Sequence, residues 1–172
     1  MKKALTIVYL LLFILIIFVF QMFIIDEREL FGVKPNLILI SVIVVSLWFG
    51  LYTGSIYSVI IGIITDMLFG NNIGLFTIGY AITGVIIGFF NYNYRKENKI
   101  ALLYLTFIAT AIFELIQYII YFVITKEYTS ILYFVYQIIL TSILNIVIVY
   151  VVYSLLYKII SFFEDRLNVY DV

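Results

Sequence analysis

From residue 35 to residue 74 the chain reads PNLILISVIVVSLWFGLYTGSIYSVIIGIITDMLFGNNIG, with Asp66 as its single charged side chain. The run is continuously apolar and does not alternate with period two, which argues for helices rather than the strands of a membrane barrel. Crossing a hydrocarbon core of about 30 Å takes roughly 20 helical residues. Two turn signals divide the stretch: Gly50-Leu51-Tyr52-Thr53-Gly54, and Phe69-Gly70-Asn71-Asn72-Ile73-Gly74. Using both predicts helices over 36–49 and 53–69, the earlier one shorter than a full span. Pro35, the only proline, suits the first turn of that helix, where its missing N–H costs nothing.

The pattern continues on both sides. A first apolar span is expected over 4–25; it is too long for a signal-peptide core and lacks an A-x-A-like site, so it reads as an uncleaved helix. Further spans are expected over 75–91, 100–124 and 131–157, separated by polar segments around Arg95-Lys96 and Lys126-Glu127. The tail from Lys158 is mildly amphipathic, with Ile159, Phe163 and Leu167 at helical spacing. The expected fold is therefore all-α: a compact integral-membrane bundle of six helices, or five if 36–49 and 53–69 fuse. It forms a single polytopic domain over 1–172 with no soluble domain.

Composition supports this class. The chain is 66% hydrophobic and 12% charged, with a mean hydropathy of +1.21, whereas soluble domains are about half apolar and a quarter charged. Cysteine and histidine are both absent. That excludes disulfides, histidine-based zinc sites and Ser-His or Cys-His catalytic pairs. No P-loop, Gx(S)xG elbow or pair of acids suited to hydrolysis at a membrane surface is present, so neither an enzyme nor a cofactor is expected. Net charge is zero and no basic cluster suggests nucleic acid; lipid is the surrounding medium.

Charge bias sets the expected orientation. With six spans, Lys2, Lys3, Arg95, Lys96, Lys99, Lys158 and Arg166 share one side, and Arg28, Lys34 and Lys126 the other. The positive-inside rule then puts both termini in the cytoplasm. With five, the same rule would put the N-terminus outside despite Lys2 and Lys3.

Three constellations stand out. Ser46, Gly50, Gly54, Ser58, Gly62, Asp66, Gly70 and Gly74 recur every four positions, and Gly84 and Gly88 offer a matching surface. Such small-xxx-small faces permit close backbone approach in lipid, either between the chain's own third and fourth helices or against a partner's helix. Asp66 is the second: an intramembrane functional carboxylate, or one that binds free N–H groups of the following loop. The third is a polar seam. Thr110 and Glu114, flanked by Gln117, face Gln137, Thr141 and Asn145, with Glu114 level with Thr141 in an antiparallel pair. It serves either a structural hydrogen-bonded interface or a proton or ion pathway.

The segment Lys34-Pro35-Asn36-Leu37, the run ending at Gly50, Gly54 followed by Gly62-Ile63-Ile64-Thr65-Asp66-Met67-Leu68-Phe69-Gly70, and then Gly74-Leu75 resembles the MreD family of rod-shape-determining membrane proteins. Pro35 and Asp66 carry the family motif in that comparison. The resemblance implies a fold akin to the S components of vitamin transporters. It also implies a non-catalytic scaffold or regulator in the cell-wall elongation complex, bound to an MreC-like bitopic protein. An MreB-like filament, a RodA-like glycosyltransferase and a class B penicillin-binding protein would be its neighbours. The rival class is the substrate-binding subunit of an energy-coupling-factor vitamin transporter. Those subunits typically dock through small residues, often alanines, in the first helix, where this chain has Leu, Ile, Phe and Val. A holin-like oligomer fits less well, because the spans are not repeats.

Overall fold

In hydrocarbon every backbone polar group must find a partner within the protein, and helices achieve this within one segment. The computed structural model describes residues 16–21, 32–69, 74–94, 98–126 and 130–167; at 93, 152, 154–157 and 159–167 it describes the backbone alone. Among these residues there is no strand. Residues 16–20 are helical, followed by α1 (Leu37–Phe69), α2 (Leu75–Phe89), a 3-10 turn Phe90–Asn93, α3 (Lys99–Thr125) and α4 (Ile131–Leu167). Four of the helices are long and apolar enough to cross a membrane.

Continuous hydrogen bonding makes five helices, yet α1 is not one rod. Gly50 sits inside it at φ 81, ψ −177, a conformation that costs glycine little. Sixteen residues of straight helix span about 24 Å, but the Tyr57 hydroxyl donates to Ser41 Oγ at 3.0 Å. A Cβ placed on Gly54 would lie 2.6 Å from the Ser46 Cα. The arms 37–49 and 51–69 therefore run antiparallel, folded back at Gly50. Asn91 closes this turn from the far side of α2, its Nδ2 donating to the carbonyls of Leu47 at 2.6 Å and Trp48 at 3.4 Å.

The short first arm has a physical cause. Asn36 caps it, its Oδ1 accepting from Leu39 N at 2.8 Å, so Pro35 precedes the cap instead of standing in the first turn as expected. A side-chain acceptor at the cap position stabilises a helix start, and Asn is among the best. The Asn36 N–H donates to Asn145 Oδ1 at 2.8 Å, and Asn145 Nδ2 donates to Thr110 Oγ1 at 3.1 Å near the middle of α3. The first arm thus begins about halfway through the bundle. Residues 32–36 descend to it without helical bonds. Gln21 partners that exposed backbone, donating to Pro35 O at 3.3 Å and accepting from Leu37 N at 2.9 Å.

α2 packs along the second arm of α1 and against α3, and α4 packs chiefly on α3. The core is filled by α1, with Leu39, Val42, Ile43, Leu47 and Trp48 at most 1% exposed. α4 continues past the expected end at Tyr157 to Leu167.

Candidate functional site

The small residues of the ladder separate by role once placed. Added Cβ atoms at Gly62, Gly84 and Gly88 would fall within 2.8 Å of Thr77 Cα, Ser58 Oγ and Leu51 Cα respectively. These glycines seat α2 on the second arm of α1 in antiparallel register, with Ser46 and Ser58 fully buried beside them. Gly50 and Gly74 serve conformation instead. Gly74 has φ 99 and nothing within 4 Å of a Cβ position, so the expectation of a packing contact there is corrected. Gly70 lies outside the described residues. Gly79, which no four-residue ladder flags, lets α3 approach: a Cβ there would meet Gln117 Nε2 at 2.6 Å.

Asp66, 3% exposed, terminates the same face. Its carboxylate accepts from the backbone N–H of Gly74 at 2.9 Å, Phe76 at 2.8 Å and Thr77 at 3.0 Å, and from the Thr77 hydroxyl. These are donors of the first turn of α2, which no helical carbonyl can satisfy, and a carboxylate there also meets the positive end of the helix dipole. One helix thus carries the cap of the next across the intervening loop.

The polar seam divides into two parts. Deep in the bundle, Thr110 and Asn145 pair and hold the start of α1, with Thr106, Thr141 and Ser142 buried around them. Nearer the ends of α3 and α4 that face each other across 126–130, Gln137 Nε2 donates to Glu114 Oε2 at 3.2 Å. Glu114 therefore pairs with Gln137 and not with Thr141, the residue expected at its level. The Thr110–Asn145 pair keeps the anticipated register, but the long Glu and Gln side chains reach each other one turn away. Gln117 turns aside and donates to Leu75 O at 3.0 Å.

Beside this pair lies a cavity of ≈ 280 Å³ lined by Gln21, Lys34, Pro35, Asn36, Ile38, Thr65, Phe69, Phe76, Tyr80, Phe113, Glu114, Gln117 and Gln137. Its walls include the end of α1, the start of α2 and the 34–36 segment. A second space of ≈ 260 Å³ adjoins it between α3 and α4, sharing Glu114, Gln117 and Gln137 and adding Tyr118, Tyr121 and Phe134. Sequence reading singled out Glu114, Gln117 and Gln137 but missed Gln21, Lys34 and Tyr80, whose polar groups line the cavity. The Tyr80 hydroxyl donates to Asn36 Oδ1 at 3.1 Å. No periodic pattern links these residues, because three separate elements supply them. Among the described residues no cluster of acids could hold a metal ion.

Fold and site together define a multi-pass helical membrane protein whose polar groups chiefly hold its own backbone, around a cavity with hydrogen-bonding walls. The family profile described as "rod shape-determining protein MreD" matches residues 1–162. The chain belongs to the MreD family and is a rod-shape-determining, multi-pass inner-membrane protein. Neither the curated proteins nor the solved structures yielded a match.

Proposed function

We propose that this protein acts by binding: it is a membrane-embedded scaffold of the wall-elongation complex that holds an MreC-like bitopic protein. The observation that carries the reading is where the small residues went. The face most suited to a partner's helix is consumed in seating α2 on α1, which leaves the cavity at the 69–74 end as the concave surface available to another protein. The partner's membrane-proximal chain covers the mouth of that cavity, beside Lys34, Phe76 and Gln117. By the cation bias this end faces outward, and six traverses of one polytopic domain bring both termini to the cytoplasm. The neighbouring MreB-, RodA- and penicillin-binding-protein-like components are engaged through this partnership. Chemistry on peptidoglycan belongs to them.

Co-purification of the full chain with an MreC-like protein tests the reading, with Lys34→Glu expected to weaken capture while leaving the folded yield unchanged. Depletion in a rod-shaped host should round or widen the cells. Normal shape after verified depletion, together with tight vitamin retention by the purified protein, would transfer the assignment to a transporter subunit. Orientation has its own assay in this cysteine-free chain: an impermeant thiol reagent added to intact cells should label Lys126→Cys and spare Asn93→Cys.

A further inference from the structure

The space between α3 and α4 is short of donors. Among the described residues, Glu114 Oε2 accepts from Gln137 and nothing donates to Glu114 Oε1. The side-chain carbonyl of Gln137 is likewise unused, since that residue's bond is made through Nε2. Gln117 also bonds only through Nε2, to Leu75 O. Three residues with an acceptor oxygen to spare, one of them a carboxyl group, thus line one small space, and no ion pair reaches Glu114 among the described residues. An uncompensated carboxylate at this depth is costly. A primary ammonium carries one positive charge and three N–H donors, which matches the set in both charge and number.

The adjoining cavity also carries a cationic side chain in its lining. Lys34 lines it, beside Asn36 and Ile38 at the start of α1, where the N–H groups of residues 36, 37 and 39 are already taken by Asn145, Gln21 and Asn36. Cation-seeking groups and one cationic side chain thus line two adjoining spaces that share Glu114, Gln117 and Gln137. The second space lies between α3 and α4 and is walled by Tyr118, Tyr121 and Phe134. The Tyr118 and Phe134 rings are 4.3 Å apart, and Tyr121 is 43% exposed on the outer surface of the bundle. Aromatic side chains with a polar tip are the type that meets lipid near headgroup level.

We propose that this cleft binds a membrane phospholipid with a primary-ammonium headgroup, of the phosphatidylethanolamine type. The ammonium sits on Glu114, Gln117 and Gln137, the phosphate turns toward Lys34, and the acyl chains leave between α3 and α4. Lipid phosphate and partner both approach Lys34, whereas only the lipid headgroup uses Glu114, so the two bindings are separated by substitutions at Glu114.

Native mass spectrometry of the full-length protein in mild detergent tests this, with equal amounts of phosphatidylethanolamine, phosphatidylcholine and phosphatidylglycerol offered. Phosphatidylcholine keeps the charges but has no N–H donors, and phosphatidylglycerol has no cation. Retention of phosphatidylethanolamine should exceed both on the order of tenfold, as a charge-assisted set of bonds would give. Glu114→Gln should remove most of that preference. Phe134→Trp, which narrows the cleft and spares the acceptors, should lower occupancy by every lipid. Equal retention of the three lipids, or unchanged selectivity in Glu114→Gln, would overturn the proposal. Displacement by free phosphoethanolamine at the lipid's own concentration would overturn the lipid source in favour of a soluble amine. Absent selectivity combined with failure of Glu114→Gln to capture the MreC-like protein would assign the acceptors to a lysine of the partner. Loss of partner capture alone, with lipid selectivity intact, would bear on the proposed function and not on this site.

Discussion

The α1–α2 half and the α3–α4 half solve the same problem in opposite ways. Lipid already surrounds every apolar side chain, so burial between helices adds little, and association depends on close packing and hydrogen bonds. In α1–α2 the helices meet where side chains are missing: Gly62 rests on Thr77, Gly84 on Ser58, and Gly88 on Leu51. In α3–α4 they meet through side chains that bond one another, Glu114 to Gln137 and Asn145 to Thr110. The first arrangement has no room to adjust. The second leaves space and unused acceptors: one cavity lies between α3 and α4, and the other runs from their Glu114, Gln117 and Gln137 to the ends of α1 and α2. Rigidity and recognition are thus divided between two parts of a small bundle.

Gly62→Leu should break the rigid half most severely. Even a Cβ would stand 2.5 Å from the Thr77 Cα, so helix axes must separate along the whole α1–α2 face. Overpacking of this kind costs about 3 kcal/mol or more, and most folded protein should be lost in a size-exclusion profile. Ile63→Leu, on the 43% exposed neighbour, should leave the profile unchanged. Equal yields of the two would remove the contrast between the halves.

Asp66→Leu comes next. It strands backbone donors at Gly74, Phe76 and Thr77, each worth about 1–3 kcal/mol when fully dehydrated; water at the end of the bundle recovers part of this. Thermal unfolding in detergent should show a large fall, with Asp66→Asn intermediate because one acceptor oxygen survives. An unchanged midpoint for Asp66→Leu would mean that the cap does not hold α2.

Within the polar half the expected effects are smaller. Asn145→Leu removes the acceptor of the Asn36 N–H and the donor to Thr110, at a cost of about 1–2 kcal/mol. Glu114→Gln keeps size and hydrogen-bonding capacity, and should lower stability by about 0.5 kcal/mol at most. It should also sustain rod shape in a complementation assay. Complete loss of shape in a stably inserted Glu114→Gln protein would revive a proton or ion pathway through the seam.

The helical class, the reversal at Gly50 and the small-residue face were legible because each is written in consecutive or four-spaced residues of one element. Gly50 announced a reversal through the Gly50–Gly54 signal, and the Gly62, Gly84 and Gly88 surfaces matched by spacing alone. Asp66 was narrowed to two roles, and the geometry places its carboxylate on the loop and first-turn N–H groups. The Glu114–Gln137 pairing was missed by one turn, since spacing places backbones and not the tips of long side chains. Gln21 and Lys34 were invisible as site residues. Each is an isolated polar residue near the end of an apolar run, with nothing nearby in sequence to signal its partner.

By itself the sequence determined the solvent in which this protein folds, the positions where its helices begin and turn, and the face along which two of them can touch. Those properties depend on local composition and on the 3.6-residue period. Tertiary structure alone decided that the first arm of α1 starts at mid-bundle. Asn145, Tyr80 and Gln21, from three other parts of the chain, supply the partners that Asn36, Pro35 and Leu37 need there. A backbone stripped of helical bonds inside a membrane is tolerated only where distant side chains replace them. The same convergence opened the cavity, because a helix that begins halfway leaves the other half of its path unfilled.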